Sequence, residues 1–302
     1  MKFKKTGLVV ASFAALALGL TGCGGSGGGS GSSEEGSSEN QTVKLGVVGE
    51  SNPYWTDFVD AAAEEGIEVD LVDFQDYNQP NPALSSGDID LNQFQHVVYL
   101  AEYNVANNDD LVPIGSTAIY PLALFSDKYK SVDEIPKGSE IAIPNDVVNR
   151  ARALLVLQSA GLLELKGGGN IFSTPDEIDA STSKVKIIEV QADLVPNSLK
   201  DVAGGIVNNE FATKAGLDYA DALAQDDPED PNALPYVNIF AARAEDQDNE
   251  TYKKLVEIYQ GTPAVQEGVV KDSGGTAVMT KVPVEDLLKS LKTVEDDVRA
   301  NQ

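Results

Sequence analysis

The segment Pro144-Asn-Asp-Val-Val-Asn-Arg-Ala-Arg holds the residues of this chain best suited to gripping an anion. Asn149 and Arg152 are three apart at the start of a helical pattern, so they share one helical face. A strand-like run precedes them, and the first amides of the helix point towards the crevice beyond that strand and favour negative charge. An arginine near a helix start works against the helix dipole, which leaves two readings. It is either a bidentate clamp for a carboxylate or an ion pair on the surface of a very acidic protein. Two further amides stand out. Asn208 lies in Gly204-Gly-Ile-Val-Asn-Asn-Glu-Phe-Ala, and Asn238 interrupts the β-branched and aromatic run after Pro235. A buried amide costs energy unless it is bonded, and it can accept from an ammonium or donate to a carboxylate.

A second group is aromatic. Tyr77 follows Asp73-Phe-Gln-Asp in a polar turn, and Phe94, His96 and Tyr99 follow the strand-like Asp88–Leu91. These rings either pack in a core or wall a pocket, because the carboxyl ends of parallel strands face a crevice. His96 is the only histidine, so it is the one imidazole available as a base; alone it reads more readily as a structural residue. The single cysteine, Cys23, excludes an internal disulfide framework and Cys-based zinc sites. No His-pair metal motif and no Gly-x-Ser-x-Gly elbow occurs. No metal or cofactor is implied.

The elements that must position these residues fit in 302 residues, enough for two domains. The net charge of −26 argues against nucleic acid, which demands clustered lysine and arginine. Val43–Val48, Val69–Phe74, Ile141–Ile143, Val185–Val190 and Tyr236–Ala242 read as buried strands. Helices are expected after Ser51 or Asn52 up to Gly66, from Val147 to Ala160, over Thr251–Gln260 and over Pro283–Arg299. In the last of these, Val284, Leu287, Leu288, Leu291, Val294 and Val298 share a face. Leu111–Ser126 reads as one connecting strand. The alternation implies an α/β protein with parallel sheets covered by helices, and two lobes joined by strands would enclose a cleft.

Residues 1–22 read as an export signal. Lys2, Lys4 and Lys5 precede a short apolar run, Leu8 to Leu20, and Leu20-Thr-Gly-Cys23 resembles a bacterial lipobox. That resemblance implies acylation of Cys23 and a lipid anchor on the outer side of the cytoplasmic membrane. Gly24 to Thr42 is glycine, serine and a few acids, a flexible tether with a reach of roughly 25 Å.

Several segments in order resemble the methionine-binding lipoproteins of bacterial ABC importers. They are Phe74-Gln-Asp-Tyr-Asn-Gln-Pro-Asn, Asn92-Gln-Phe-Gln-His-Val-Val-Tyr-Leu, Ile119-Tyr-Pro-Leu-Ala, Ile143-Pro-Asn-Asp, Val207-Asn-Asn-Glu-Phe-Ala and Pro235-Tyr-Val-Asn. The resemblance spans most of residues 43–275. It implies a type II periplasmic-binding-protein fold, with two crossing strands and a ligand enclosed between lobes. The lobes would be residues 43–120 with 238–302, and residues 121–237. It further implies that Tyr77, Phe94, His96 and Tyr99 wall an apolar side-chain pocket. Arg152 would bind the ligand carboxylate, with Asn149, Asn208 and Asn238 on its other polar groups. Gly49-Glu-Ser-Asn-Pro-Tyr-Trp departs from the family's usual start and places Trp55 near the pocket mouth.

The expectation is a non-enzymatic solute-binding protein that delivers L-methionine to an importer permease. Alternative ligands are D-methionine, a methionine dipeptide or another apolar amino acid. An anchored hydrolase would need a nucleophile and base that the sequence does not offer, and a surface adhesin would show no ligand-dependent closure.

Overall fold

The computed structural model describes residues 42–230 and 233–301. The export signal, Cys23 and the tether therefore lie outside the described residues, except Thr42, which begins the first strand. The strands are β1 (Thr42–Val48), β2 (Glu68–Phe74), β3 (Leu91–His96), β4 (Val112–Ser116), β5 (Ala118–Ile119) and β6 (Ala123–Phe125). They continue with β7 (Glu140–Pro144), β8 (Lys186–Val190), β9 (Gly204–Val207), β10 (Ala224–Gln225), β11 (Asn238–Ala242) and β12 (Val278–Met279). The helices are α1 (Tyr54–Glu64), α2 (Pro80–Ser86), α3 (Val97–Asn107), α4 (Val147–Ser159) and α5 (Val195–Ser198). After them come α6 (Asn209–Ala215), α7 (Glu250–Gly261), α8 (Pro263–Asp272) and α9 (Val284–Asn301).

Two five-stranded sheets result, in the orders β2-β1-β3-β11-β4 and β10-β6-β9-β7-β8. Both are mixed rather than parallel. β11 runs antiparallel to β3 and β4, and β6 antiparallel to β9, because the chain enters and leaves each sheet through a crossing segment. The stretch 111–126 is not one strand. It breaks at Thr117 and again after Ile119, giving β4 to the first sheet and β6 to the second. Between them β5 pairs with β12. The return crossing runs from β10 to β11.

Each sheet is covered on both faces. On the first, Trp55 and Phe58 of α1 meet Phe240 and Tyr259 in an aromatic cluster, and α9 buries Leu287, Leu291, Val294 and Val298 on the opposite face. Trp55 is 1% exposed within this core, so it is not at a pocket mouth. Helix α1 starts at Pro53 with no side-chain cap, not at Ser51 or Asn52. The second sheet packs α4 on one face and α5 with α6 on the other.

Strand β3 is buried along its whole length although it reads Leu-Asn-Gln-Phe-Gln-His. Its polar cost is met by a closed amide cluster. Asn81 donates to Gln95 at 2.8 Å, Asn92 donates to Asn81 at 2.9 Å, and Gln95 donates back to Asn81 at 2.6 Å. Gln93 reaches Thr117 Oγ1 at 3.1 Å. Such networks rigidify a core only when every member is bonded. Phe94 and His96 thus lie within a strand, and not after one as the sequence suggests, because the cluster lets β3 extend five residues past Leu91.

Asn81→Leu removes a partner from both Asn92 and Gln95, each stranded amide costing roughly 1–3 kcal/mol. Chemical denaturation should show a loss of about 3 kcal/mol; an unchanged midpoint would remove the cluster from any role in holding β3.

Candidate ligand site

The carboxyl end of β3, the start of α4 and the start of α6 converge on one cavity. All eight residues singled out from the sequence line it: Tyr77, Phe94, His96, Tyr99, Asn149, Arg152, Asn208 and Asn238. Gln95, Tyr120, Pro121, Leu122, Asn209 and Glu210 join them.

One end is aromatic. The ring centroids of Tyr77, Phe94 and Tyr99 lie 5.7–6.2 Å apart, and Phe211 closes on Tyr77 at 4.8 Å. Tyr99 Oη donates to the Tyr77 carbonyl at 3.1 Å, which ties α3 to the loop after β2. The rings therefore belong to a packed cluster and to the cavity wall at once, so the two readings open from the sequence do not exclude each other.

The other end is polar, built on α4. Asp146 caps this helix by accepting from the Asn149 backbone amide at 2.9 Å, and it accepts from Asn149 Nδ2 at 3.0 Å. Asn208 Nδ2 donates to Asn149 Oδ1 at 2.9 Å, which fixes both amides. Asn208 Oδ1 is buried and has no hydrogen-bond partner among the described residues; the same holds for Asn209 Oδ1. Asn238 opens β11 directly beside His96 in the β3 register.

Arg152, with its side chain 7% exposed, forms the ion pair of one of its sequence readings, but buried rather than on the surface. Nε donates to Asp226 at 2.6 Å, Nη2 donates to the Tyr120 carbonyl at 2.8 Å, and the guanidinium stacks 4.4 Å above the Tyr236 ring. These two hydrogen bonds use two of five guanidinium N–H groups. The ion pair holds the plane in place while the side chain still lines the cavity.

His96 is a cap as well as a wall. Its Nδ1 accepts from the Tyr99 backbone amide at 3.2 Å, so the proton of the neutral ring sits on Nε2. Burial, and then the Arg152 charge, lower its pKa from the ordinary 6.5 to about 3. A neutral imidazole donor is thereby presented at all near-neutral pH. The cavity lining sets aromatic rings at one end against amides and a guanidinium at the other, an arrangement suited to holding a small molecule.

The residues that sequence reasoning missed have readable causes. Tyr236 falls in the turn Leu234–Tyr236 and not in β11, and only that turn brings it over Arg152. Glu210 and Asn209 follow Asn208 in the first turn of α6, a short helix with little periodic signal. Asp226 is one of five acids within Asp226-Asp-Pro-Glu-Asp and Asp221, with no sequence mark of its own.

Comparison with known proteins gives the family of the chain. The profile of the NlpA lipoprotein family matches residues 43–280. The chain belongs to that family. It is 37% identical over 283 residues to the D-methionine-binding lipoprotein MetQ of Yersinia pestis, covering 92% of this chain and 98% of that protein. The corresponding Escherichia coli K12 protein is 36% identical over 282 residues, covering 92% of this chain and 98% of its own length. Among solved structures, the methionine-binding protein MetQ superposes with a TM-score of 0.75 at 38% identity, over 80% of this chain and 99% of its own. A nutrient-binding protein from Burkholderia cenocepacia bound to methionine gives 0.72 at 38%, over 79% and 99%. The two-lobed α/β fold expected from the sequence is thus the fold of this family.

Because the chain has one histidine, a single imidazole resonance reports on the site. His96 should remain neutral by NMR from pH 8 down to about 4 in the closed protein. A midpoint near 6.5 with the cavity closed would contradict the buried geometry.

Proposed function

We propose that the chain is an extracytoplasmic solute-binding protein that hands methionine to an ABC importer. The observation that carries this reading is one cavity whose two ends differ in character. Arg152 with the amides of Asn149, Asn208 and Asn238 suits a zwitterionic head, and the Tyr77, Phe94 and Tyr99 rings suit an apolar tail. A thioether is flexible and polarizable and makes favourable contacts with aromatic rings. The names of the Yersinia pestis and Escherichia coli relatives, and the methionine-bound Burkholderia cenocepacia structure, support the same ligand. The names of the first two specify D-methionine, which makes the D-enantiomer the second reading.

In this reading the two lobes, residues 43–120 with 238–302 and residues 121–237, close on the ligand. The permease then recognises the closed form. No covalent step is involved. Cys23 carries the lipid anchor, and the family name, together with the absence among the described residues of any helix long and apolar enough to cross a membrane, supports that assignment.

Ligand at ~1,000 times its dissociation constant stabilises a protein by about 4 kcal/mol, and in a domain of this size each kcal/mol raises the melting temperature by roughly 2–4 °C. Protein stripped by unfolding and refolding should therefore gain about 10 °C with L-methionine, less with norleucine, and nothing with lysine or glutamate. Arg152→Ala should weaken binding roughly 30-fold or more by calorimetry, the usual cost of truncating a desolvated charge partner being ~2–5 kcal/mol. Equal shifts with every amino acid, or with none, would overturn the methionine reading.

Cys23→Ser should release the protein from the membrane fraction with binding unchanged. Full retention after detergent-free washing would exclude an anchor at this residue.

A further inference from the structure

Helix α6 carries the second sheet's side of the cavity, and it reaches the first sheet's elements at several points. Phe211 packs on Tyr77, Lys214 Nζ donates to Gln75 Oε1 at 2.7 Å, and Thr213 Oγ1 donates to the Asp272 carbonyl at 3.2 Å. The contact nearest the ligand cavity is Glu210, whose Oε2 accepts from Asn52 Nδ2 at 3.1 Å. The receiving turn is built for it. Asp73 holds the turn by accepting from the amides of Gly49 and Glu50 at 3.0 and 3.1 Å. Gly49 has φ +95°, a conformation that favours glycine, and a Cβ there would stand 2.7 Å from Glu210 Oε2 and crowd the carboxyl group.

What faces that carboxyl is unusual. The charged groups acting on it are two further carboxylates, Asp272 at the end of α8 and Asp73 at the end of β2. The phenols of Tyr54, Tyr77, Tyr120, Tyr219 and Tyr259 lie within its electrostatic reach. Among the described residues it forms no ion pair: Lys214, one turn along α6, is turned to Gln75, and Arg152 to Asp226. We propose that Glu210 is the positioning residue that fastens the closed cavity. As an uncharged acid it seats α6 on the Gly49–Asn52 turn, and as a carboxylate it opposes that seating. The inference rests on the reading of the cavity as a ligand site that closes.

Its consequence is a pH dependence of a particular shape. Burial, then Asp272 and to a smaller extent Asp73, push the Glu210 carboxyl from its ordinary 4.5 up to about 8, against the Asn52 hydrogen bond that pulls it down. A group whose pKa is raised on closure favours the closed form fully below its open-state value and loses that effect as pH rises to about 8. His96, lowered on closure, acts in the opposite sense and disfavours closure below about 6.5. The two effects offset each other between about pH 5 and 6.5. Above 6.5 only Glu210 titrates.

The test is calorimetric titration of L-methionine into the full folded chain at constant ionic strength from pH 5 to 9, for wild type and Glu210→Gln. Glutamine keeps an acceptor for Asn52 without a titrating proton. Wild-type affinity should be level to about pH 6.5, fall up to about 30-fold by pH 8, and level off again. The Gln variant should gain affinity from pH 5 to 6.5 and then stay flat. A wild-type profile flat between pH 6.5 and 8, or a variant that follows the same fall, overturns the proposal. If wild type binds no methionine at any pH, the methionine reading fails instead, and infrared difference spectra of wild type minus variant at pH 6.5 decide this one. A carbonyl band of a neutral carboxylic acid sustains it, and a carboxylate signal alone overturns it.

Discussion

The carboxylate of Asp226 is the point on which the cavity depends. Asp226 lies on the return crossing between the two sheets. Its Oδ1 accepts from the Leu122 amide on the outward crossing at 2.7 Å, and its Oδ2 accepts from Arg152 Nε on α4 at 2.6 Å. One residue therefore joins both crossings to the helix that carries the polar end of the site. Arg152 completes the clasp through the Tyr120 carbonyl. A guanidinium held at a fixed plane by a carboxylate and a carbonyl is a pre-organised receptor, because little rotamer freedom remains to be lost when an anion arrives. The side chain of Asp226 is 27% exposed against 7% for Arg152, so the anionic partner keeps part of its hydration while the cation is nearly dry.

The remaining polar groups obey the same economy. Asn208, Asn149 and Asp146 pass hydrogen bonds in series from α6 to the cap of α4. The amide cluster of Asn81, Asn92 and Gln95 does the equivalent work behind the wall, under β3. The exceptions are informative: the side-chain oxygens of Asn208 and Asn209 are buried and unpaired among the described residues, and both belong to residues that line the cavity. Unsatisfied buried acceptors cost free energy, and a ligand that brings N–H donors offsets that cost.

Charge in the cavity is kept low on purpose of geometry rather than of composition. The chain is strongly acidic overall, yet the lining contains one arginine already paired, one histidine held neutral and one carboxyl pushed towards its neutral form. Such a site discriminates against a second charge on the ligand, because nothing is free to solvate it once water is excluded.

Much of this was written locally in the chain. β1, β2, β7, β8 and the helices α1, α4, α7 and α9 follow from short β-branched runs and from apolar positions at helical spacing. The eight residues that line the cavity were readable because motifs lying far apart in the chain share an order with a known family. What the local pattern could not carry was partnership. α2, α3, α6 and α8 are short or weakly periodic, and they form because a sheet face needs covering. The break of 111–126 into strands of different sheets, the antiparallel course of β11, and the polar yet buried β3 all depend on residues distant in sequence. Asp226 among its acidic neighbours and Glu210 after two asparagines look like solvated charges until the crossings bring Arg152 to one and Asn52 to the other. Residue type set what each group could do; only burial and long-range neighbours decided its charge and its partner, because both are properties of the space around a side chain and not of the chain beside it.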